Sequence, residues 1–413
     1  MDNSENTIFA EFKIGDLSLK NRIIKAGCFE GMSQNGGVTD ALQNHHENMA
    51  IGGVAMTTVA YCSVSEDGRA YAHEMWMQKD LAHELKKLTS KVHKHGAKAS
   101  IQLGHCGYFA SRKVIRKRPM GASAKFNLFR MSYGKTMTKD DIEDKINDFV
   151  EATKNAIEAG FDAVEIHAGH GYLLSQFMSP FTNKRKDEFG GSLENRMRFP
   201  SEIIRRIRNE IGPDFPILVK MNLRDGMKGG LELNEAVKVA LAFEAVGASA
   251  IIPSSGFTSK KPFLMLRGNV PVSEMVANQS NWLMKIGLTL FGKIVVQEFE
   301  YKPLFHINQA KQINAALKIP VIYIGGIKTP EHINTILNSG FSFVQVGRAL
   351  IHDNNFVNNI QQNTVTKEQC DICNRCVAAM DGGGVYCVSK EEGSSSTSVP
   401  IFIAPVCTET ESP

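Results

Sequence analysis

The sequence contains no long hydrophobic run, few cysteines and little net charge for its length. It has 413 residues, of which 43% are hydrophobic and 22% charged, and its formal net charge is +4. A field this weak gives no argument for a nucleic-acid partner, although small anions remain open as ligands. Eight cysteines are too few for a disulfide scaffold at this length. The composition is that of an ordinary soluble globular protein with a large core.

The amino terminus, MDNSENTIFAEF, carries acidic residues and lacks an apolar segment. It therefore resembles neither a secretory signal nor a basic organelle-targeting helix, and we expect a cytoplasmic protein. The sequence also lacks the dinucleotide fingerprint G-x-G-x-x-G after a first strand, which argues against an open doubly wound sheet.

Short apolar segments rich in β-branched residues alternate with helical stretches. The pattern predicts helices such as Leu81–His95, Asp140–Ala159 with Thr138 as its cap, and Glu232–Val246. Eight strands are predicted, at residues 21–26, 53–59, 98–103, 162–167, 216–222, 248–254, 320–325 and 341–347. This alternation predicts an α/β fold, a parallel (β/α)8 TIM barrel, whose functional groups lie at the C-terminal ends of its strands.

Composition divides the chain into three parts. We expect the barrel over residues 1–355, a short cysteine-rich extension over 356–392 and a disordered Ser/Thr/Pro-rich tail over 393–413. A long insertion at about 257–312 separates strands six and seven. Its apolar stretch Trp282–Val296 is too short to span a bilayer. It predicts an extra helix packed on the barrel or at a dimer surface, with a membrane-surface or lid role as the alternative.

The end of the fourth strand is the densest polar and aromatic run of the sequence. It places His167, His170 and Tyr172 where a barrel places catalytic groups. Two imidazoles can hold a carbonyl oxygen, and a phenol can supply a proton to the neighbouring carbon. A purely structural role and a metal site are the alternatives, but no carboxylate stands at the spacing of a zinc hydrolase.

The glycine pair Gly325-Gly326 follows the seventh predicted strand, and Gly347-Arg348 follows the eighth; simple tight turns are the alternative to a binding role. In barrels these loops commonly hold a phosphate through backbone N–H groups, and an arginine adds charged donors. The residues concerned are Gly325, Gly326, Gly347 and Arg348.

The fourth-strand run, EIHAGHGYLLSQFMSPFTNKRKDEFGGSLENR, resembles the old yellow enzyme family of FMN-dependent ene-reductases and NAD(P)H:flavin oxidoreductases. The resemblance covers about residues 8–355. It implies that FMN is bound, that NAD(P)H is the electron donor, that His167 and His170 bind the substrate's activating oxygen, and that Tyr172 donates the proton. It also implies that FMN is contacted by Ala26, Gly27, Tyr61, Gln102, Lys220, Gly325, Gly326, Gly347 and Arg348.

Some positions depart from that family. Lys220 stands where the family more often has arginine, which keeps the charge but loses the forked donor. In the segment after the first strand, Phe29 rather than Cys28 falls at the position that tunes the flavin's reduction potential. Cys28 is interpreted as a packing residue. Tyr61 replaces a usually small residue and resembles the trimethylamine dehydrogenase branch, and its neighbour Cys62 is interpreted as packing.

Four cysteines follow the barrel in the pattern C-x2-C-x2-C-x10-C, which suits an iron–sulfur cluster or tetrahedral zinc. The spacing resembles the four-iron four-sulfur site of 2,4-dienoyl-CoA reductase and trimethylamine dehydrogenase, where the cluster passes electrons to a second nucleotide-binding domain that this sequence does not include. An iron–sulfur cluster, zinc and reduced thiols all remain open. The residues are Cys370, Cys373, Cys376 and Cys387.

The sequence therefore predicts NAD(P)H-driven reduction of a carbonyl-conjugated alkene by a flavin enzyme. Three alternatives stay open: a flavin-dependent amine or C–N dehydrogenase, a non-redox phosphate-ester isomerase or lyase, and a flavin-binding protein without turnover. The expected partners are a small unsaturated carbonyl compound and NAD(P)H, without nucleic acid or a transmembrane segment, and assembly into a homo-oligomer stays open.

Overall fold

A computed structural model describes residues 8–278, 282–365 and 370–392. Eight parallel strands form the centre of the fold, and each lies within one of the predicted segments or overlaps it. They are β1 (Ile23–Lys25), β2 (Met56–Ser63), β3 (Lys98–Gly104), β4 (Ala163–Ala168), β5 (Ile217–Asn222), β6 (Ala250–Ser254), β7 (Ile322–Ile324) and β8 (Phe343–Val346).

Each strand pairs in parallel with its neighbours in chain order, and β8 pairs with β1. An isolated parallel bridge between Ile251 and Val321 joins β6 to β7 and closes the ring. The strands are buried along nearly their whole length because helices cover the outside and side chains fill the inside. The predicted (β/α)8 barrel is confirmed.

The helices lie mainly in the connections between strands. The three helices named from the sequence are correct to within one residue at each end, and Thr138 and Asp141 form a capping box at the start of α4. The helices are α1 (Asp40–Ile51), α2 (Leu81–Lys94), α3 (Arg112–Ile115), α4 (Lys139–Glu158), α5 (Leu173–Met178), α6 (Leu193–Ile211), α7 (Leu233–Ala245), α8 (Val272–Ala277), α9 (Trp282–Val295), α10 (Ile307–Ala316), α11 (Pro330–Asn338), α12 (Arg348–His352), α13 (Phe356–Gln361), α14 (Arg375–Ala379) and α15 (Val388–Glu392).

Short strands outside the barrel were not predicted. A hairpin of Phe12–Ile14 and Leu17–Leu19 buries Ile14 and Leu19 against residues that begin the barrel strands. It therefore closes the end opposite the predicted site. Other short strands lie in the connections around β2 and β3: Met75–Trp76 beside β2, and Met120–Gly121, Lys125–Asn127 and Ser132–Thr136 in a small three-stranded sheet.

The long insertion contains the predicted extra helix, α9, which contacts α8. Leu288 on α9 is buried against Phe263 and Val296. The opposite side leaves large apolar side chains exposed: Trp282, Ile286, Leu290 and Phe291. Within the part of the chain that the structure describes, no helix is long and apolar enough to cross a membrane. The predicted disordered tail, 393–413, lies outside the described residues.

Candidate active site

A cavity opens at the C-terminal ends of the barrel strands. Its wall combines strand ends, the insertion and the cysteine-rich extension. The sequence-predicted residues on its wall are Gly27, Tyr61, Gln102, His167, His170, Tyr172, Lys220, Gly325 and Arg348. Residues from β1, β2, β3, β4, β5 and the loops after β7 and β8 thus meet in one place, as the barrel topology requires.

His167 is the last but one residue of β4 and is 3% exposed. The Gly169 N–H donates to its Nδ1 atom at 3.2 Å. Because Nδ1 accepts a hydrogen bond, it carries no proton, and the neutral ring carries its proton on Nε2. Burial and the neighbouring His170 hold the pKa of His167 well below its ordinary value. His167 is therefore a neutral hydrogen-bond donor at ordinary pH.

His170 lies in a turn with left-handed backbone, φ 57°. The Asn222 side chain accepts its N–H at 2.9 Å, and the ring Nε2 lies 2.7 Å from Ser254 Oγ. Burial, assisted by the charge of Lys220, lowers the pKa of His170 to about 3. The turn brings the two imidazole centroids within 4.9 Å of each other, so both rings face one space.

Tyr172 completes the group, with its ring centroid 4.8 Å from that of His167. Burial raises the pKa of Tyr172 well above its ordinary value, so the phenol keeps its proton at neutral pH. Tyr61 stands beside it at a ring distance of 5.4 Å, and burial likewise raises the pKa of Tyr61 well above its ordinary value. The site thus combines neutral imidazoles with a protonated phenol.

The barrel interior below the cavity holds a buried carboxylate that the sequence reasoning missed. Glu165 accepts hydrogen bonds from Gln102 at 2.5 Å and Gln345 at 2.6 Å, and it pairs with Lys220 at 2.7 Å. Lys220 is therefore not an isolated cation, since the carboxylate of Glu165 compensates its positive charge. The sequence did contain a signal for this carboxylate, namely a charged residue within the otherwise apolar strand segment AVEIHA. In the structure Glu165 on β4 is paired in register with Gln102 on β3.

Two buried polar atoms near the cavity lack partners among the described residues: Gln345 Oε1 and His306 Nε2. Buried polar atoms are nearly always hydrogen-bonded. An elongated ligand with hydroxyl groups, such as the ribityl chain of FMN, fits this wall. FMN therefore fits the residues present, and the assignment of Gln102 and Lys220 to its ring system and of the glycine loops to its phosphate stays a prediction.

A smaller cavity adjoins the first and is lined by Ala26, Gly326, Gly347 and Lys328, while Gly325 and Arg348 border both cavities. The predicted phosphate loops after β7 and β8 are thus side by side. Arg348 directs part of its guanidinium elsewhere, donating to the carbonyls of Leu266 and Arg267 and to Asn374 Oδ1. Through these hydrogen bonds Arg348 connects the loop after β8 to the insertion and to the cysteine-rich extension.

Several further wall residues escaped the sequence reasoning because their elements are distant along the chain. Glu74 follows β2, and burial raises the pKa of its carboxyl to about 8. Thr258 and Met265 belong to the insertion, which therefore covers the site as the sequence suggested. Cys28 borders both cavities, and its interpretation as a packing residue stays a prediction. Phe29 stacks on Tyr71 at a ring distance of 5.3 Å.

The four cysteines of the extension are all free thiols. Among the described residues, no group of three or more His, Cys, Asp or Glu side chains is arranged to hold a metal ion. Cys376 lines the main cavity and Cys370 the smaller one, whereas Cys387 Sγ lies 3.2 Å from His352 Nδ1. In this arrangement the thiols do not fit a four-thiolate site, and the metal assignment stays a prediction.

The sequence matches the model of the NADH:flavin oxidoreductase / NADH oxidase family over residues 7–257. It is 36% identical to 4,4'-dithiodibutanoate disulfide reductase of Rhodococcus erythropolis, over 93% of this chain and 95% of the relative. It is 30% identical to NADH oxidase of Thermoanaerobacter brockii, over 92% of this chain but only 54% of that longer relative.

An old yellow enzyme homologue from Zymomonas mobilis has a similar structure, with a TM-score of 0.71 at 19% identity over 88% of this chain and 95% of the other. This similarity supports the barrel fold alone. The family match, the identity to full-length relatives and the cavity that suits FMN lead to one conclusion. This chain belongs to the NADH:flavin oxidoreductase / NADH oxidase family and is an NAD(P)H-dependent flavin oxidoreductase.

Proposed function

We propose that this chain reduces a carbonyl-conjugated alkene with electrons from NAD(P)H. The observation that carries the proposal is the group of His167, His170 and Tyr172. The ring centroid of His167 lies 4.9 Å from that of His170 and 4.8 Å from that of Tyr172. Bound FMN would take hydride from NAD(P)H and pass it to the β-carbon of the alkene.

The chain's own residues would complete the reduction at the other end of the alkene. The His167 Nε2–H and the His170 ring donate to the carbonyl oxygen and stabilise the negative charge that develops there. The Tyr172 hydroxyl then gives its proton to the α-carbon. The C=C double bond becomes a single bond, one hydride and one proton are added, and NAD(P)H leaves as NAD(P)⁺.

Replacing Tyr172 with phenylalanine tests this assignment. Tyr172→Phe should slow alkene reduction at least 100-fold, because a general acid typically contributes two to four orders of magnitude. Reduction of the flavin by NADPH should change less than about threefold, because that step needs no proton from Tyr172. Anaerobic stopped-flow measurement of both half-reactions gives the two rates, and equal losses in both would contradict the role.

A second candidate is reduction of a disulfide, favoured by the identity to a disulfide reductase over nearly its whole length. Hydride attack on one sulfur gives a thiol and releases the other sulfur as a thiolate. A thiol has an ordinary pKa of about 8.5, so the thiolate leaves without an acid. Tyr172→Phe should therefore leave disulfide reduction nearly unchanged. Screening enones and carboxylated disulfides as flavin oxidants with both proteins separates the candidates.

An iron–sulfur cluster on the four cysteines is no part of this proposed reaction, since both half-reactions occur at one cavity. Iron and acid-labile sulfide analysis of protein prepared without oxygen decides whether the cysteines bind a cluster. Zinc analysis of the same sample covers the other metal that thiolates commonly bind.

A further inference from the structure

The small sheet between β3 and α4 places Arg130 against Tyr71, one of the wall residues at the edge of the cavity. Its guanidinium carbon lies 4.4 Å from the centre of the Tyr71 ring and 5.0 Å from that of Phe109. Tyr71 lines the cavity, and the Phe109 ring lies 6.1 Å from that of Tyr172. The positive charge is therefore one aromatic ring away from the space in which the proposed reaction occurs.

Two nitrogen atoms at this edge are buried without hydrogen-bond partners among the described residues: Arg130 Nε and His73 Nε2. They belong to one local group, because the His73 ring lies 5.3 Å from that of Tyr71, and Arg130 adds to the burial that lowers the pKa of His73. A buried donor without a partner is costly. A ligand that brings an acceptor to this edge satisfies Arg130 Nε, and it also satisfies His73 Nε2 when the neutral ring carries its proton there.

The nearest acidic side chain leaves the charge of Arg130 uncompensated at neutral pH. Glu74 is 2% exposed, and burial raises its pKa to about 8 despite the nearby charges of Arg130 and Arg69. Its carboxyl accepts backbone hydrogen bonds from Ala70 at 2.8 Å and Tyr71 at 3.1 Å. A protonated Glu74 cannot serve as the counter-ion. Among the residues that the structure describes, Glu74 thus gives Arg130 no counter-ion at neutral pH.

We propose that Arg130 and His73 form an anion-binding subsite that holds a carboxylate or phosphate of the molecule occupying the cavity. A guanidinium stacked between two rings is held in place and offers paired donors to such a group. The first source of the anion is an unsaturated carbonyl compound that carries a carboxylate remote from its alkene. This source rests on the proposed function. The second source is the phosphate of NADPH.

The test compares Arg130→Gln with Arg118→Gln in the FMN-loaded protein. Arg118 is the matched control, since it is an exposed arginine before the same small sheet, where it donates to the Tyr133 carbonyl at 3.0 Å and its guanidinium carbon lies 5.6 Å from the centre of the Tyr133 ring. The first probe is the pair 4-hydroxyphenylacetate and its methyl ester, titrated by the change in flavin absorbance. This measurement needs no turnover. The second probe is flavin reduction by NADPH and by NADH.

We expect the unaltered protein and Arg118→Gln to bind the acid at least about tenfold more tightly than the ester, because a hydrogen bond to a charged group contributes at least that factor. Arg130→Gln should lose the preference while binding the ester equally well. Loss of the NADPH preference over NADH, with no change in the acid-to-ester ratio, would assign the subsite to the nucleotide phosphate.

If Arg130→Gln changes neither ratio, the subsite does not exist. That result is distinguishable from failure of the proposed function, which would appear as an absence of flavin reoxidation by any enone in the unaltered protein. The melting temperatures of both variants, measured with FMN bound, show whether a lost preference comes from misfolding.

Discussion

Glu74 is the titratable residue whose state matters most for the environment of this cavity. Its carboxyl remains protonated to about pH 8 because the surrounding rings and backbone exclude water. Three polar groups face it directly: the N–H groups of Ala70 and Tyr71, and the Cys106 thiol at 3.8 Å. The carboxyl is thus a neutral neighbour of Arg130 at pH 7 and becomes its counter-ion only in alkaline solution.

Glu74→Gln should make the protein more stable at pH 8. Glu74 is ionised above pH 4.5 in the unfolded chain but only above about pH 8 in the folded chain. Between these values the folded state holds one proton more, so the free energy of unfolding falls as the pH rises, by at most about 1.4 kcal/mol per pH unit. Above pH 8 the loss is complete.

Urea unfolding of Glu74→Gln and of the unaltered protein at intervals from pH 5 to pH 9 measures this difference. The difference in the free energy of unfolding between the two proteins should grow up to pH 8 and then stay constant. A gap that does not vary with pH would mean that Glu74 ionises normally in the folded state.

At the scale of elements, the turn after β4 decides whether the three active-site side chains meet. Gly171 has φ 77°, and a Cβ atom there would lie 2.4 Å from the Phe257 ring. The turn is further fixed by Thr258, whose N–H donates to the His170 carbonyl at 2.8 Å. The first residues of the insertion therefore pack directly on the turn and leave it no space to adjust.

Gly171→Ala should lower alkene reduction at least tenfold and destabilise the fold, because either Phe257 or the His170–Tyr172 turn must move. Gly212→Ala is the matched control, since Gly212 has φ 78° but nothing within 4 Å of an added Cβ. Because Gly212 also has ψ −177°, a conformation adopted almost only by glycine, the substitution should cost about 1–3 kcal/mol from backbone strain alone and leave the rate unchanged. Steady-state rates and thermal melts of both variants give the comparison, and equal rate losses would contradict it.

At the scale of the whole molecule, Asn374 joins three parts of the chain. Its side chain donates to the carbonyls of Arg267 at 2.9 Å and Asn269 at 2.8 Å in the insertion, and it accepts from Arg348 at 2.6 Å. It is 1% exposed. The extension, the insertion and the β8 loop therefore hold one another in place around the predicted phosphate region.

Asn374→Ala should weaken FMN binding at least tenfold and lower the melting temperature, because it leaves two carbonyls and one guanidinium in a partly buried network without this partner. Asn278→Ala is the control, since Asn278 is exposed and makes one hydrogen bond from the insertion to the extension, to Ala378 at 2.7 Å. Fluorescence titration of the apoprotein with FMN measures both affinities. Unchanged FMN affinity in Asn374→Ala would show that the extension does not support the cofactor site.

Much of this organisation could be predicted from local pattern. The eight strands follow from short β-branched segments buried on both faces, and α4 follows from its helical periodicity and the Thr138 cap. His167, His170 and Tyr172 could be placed together because they are neighbours in the chain and follow a barrel strand. The small sheet that carries Arg130 was missed, since its strands have only two to five residues and derive their order from packing on the cavity loops.

What the sequence by itself determined is therefore the barrel and the identity of the groups at the end of β4, because both depend on spacing along the chain. Only the tertiary structure decided the partners of those groups. His170 meets Ser254, Lys220 meets Glu165, and Arg130 meets His73 across separations of 84, 55 and 57 residues in the numbering of the chain. Such contacts arise when the barrel closes, and closure also buries Glu74, so that it gives Arg130 no counter-ion at neutral pH.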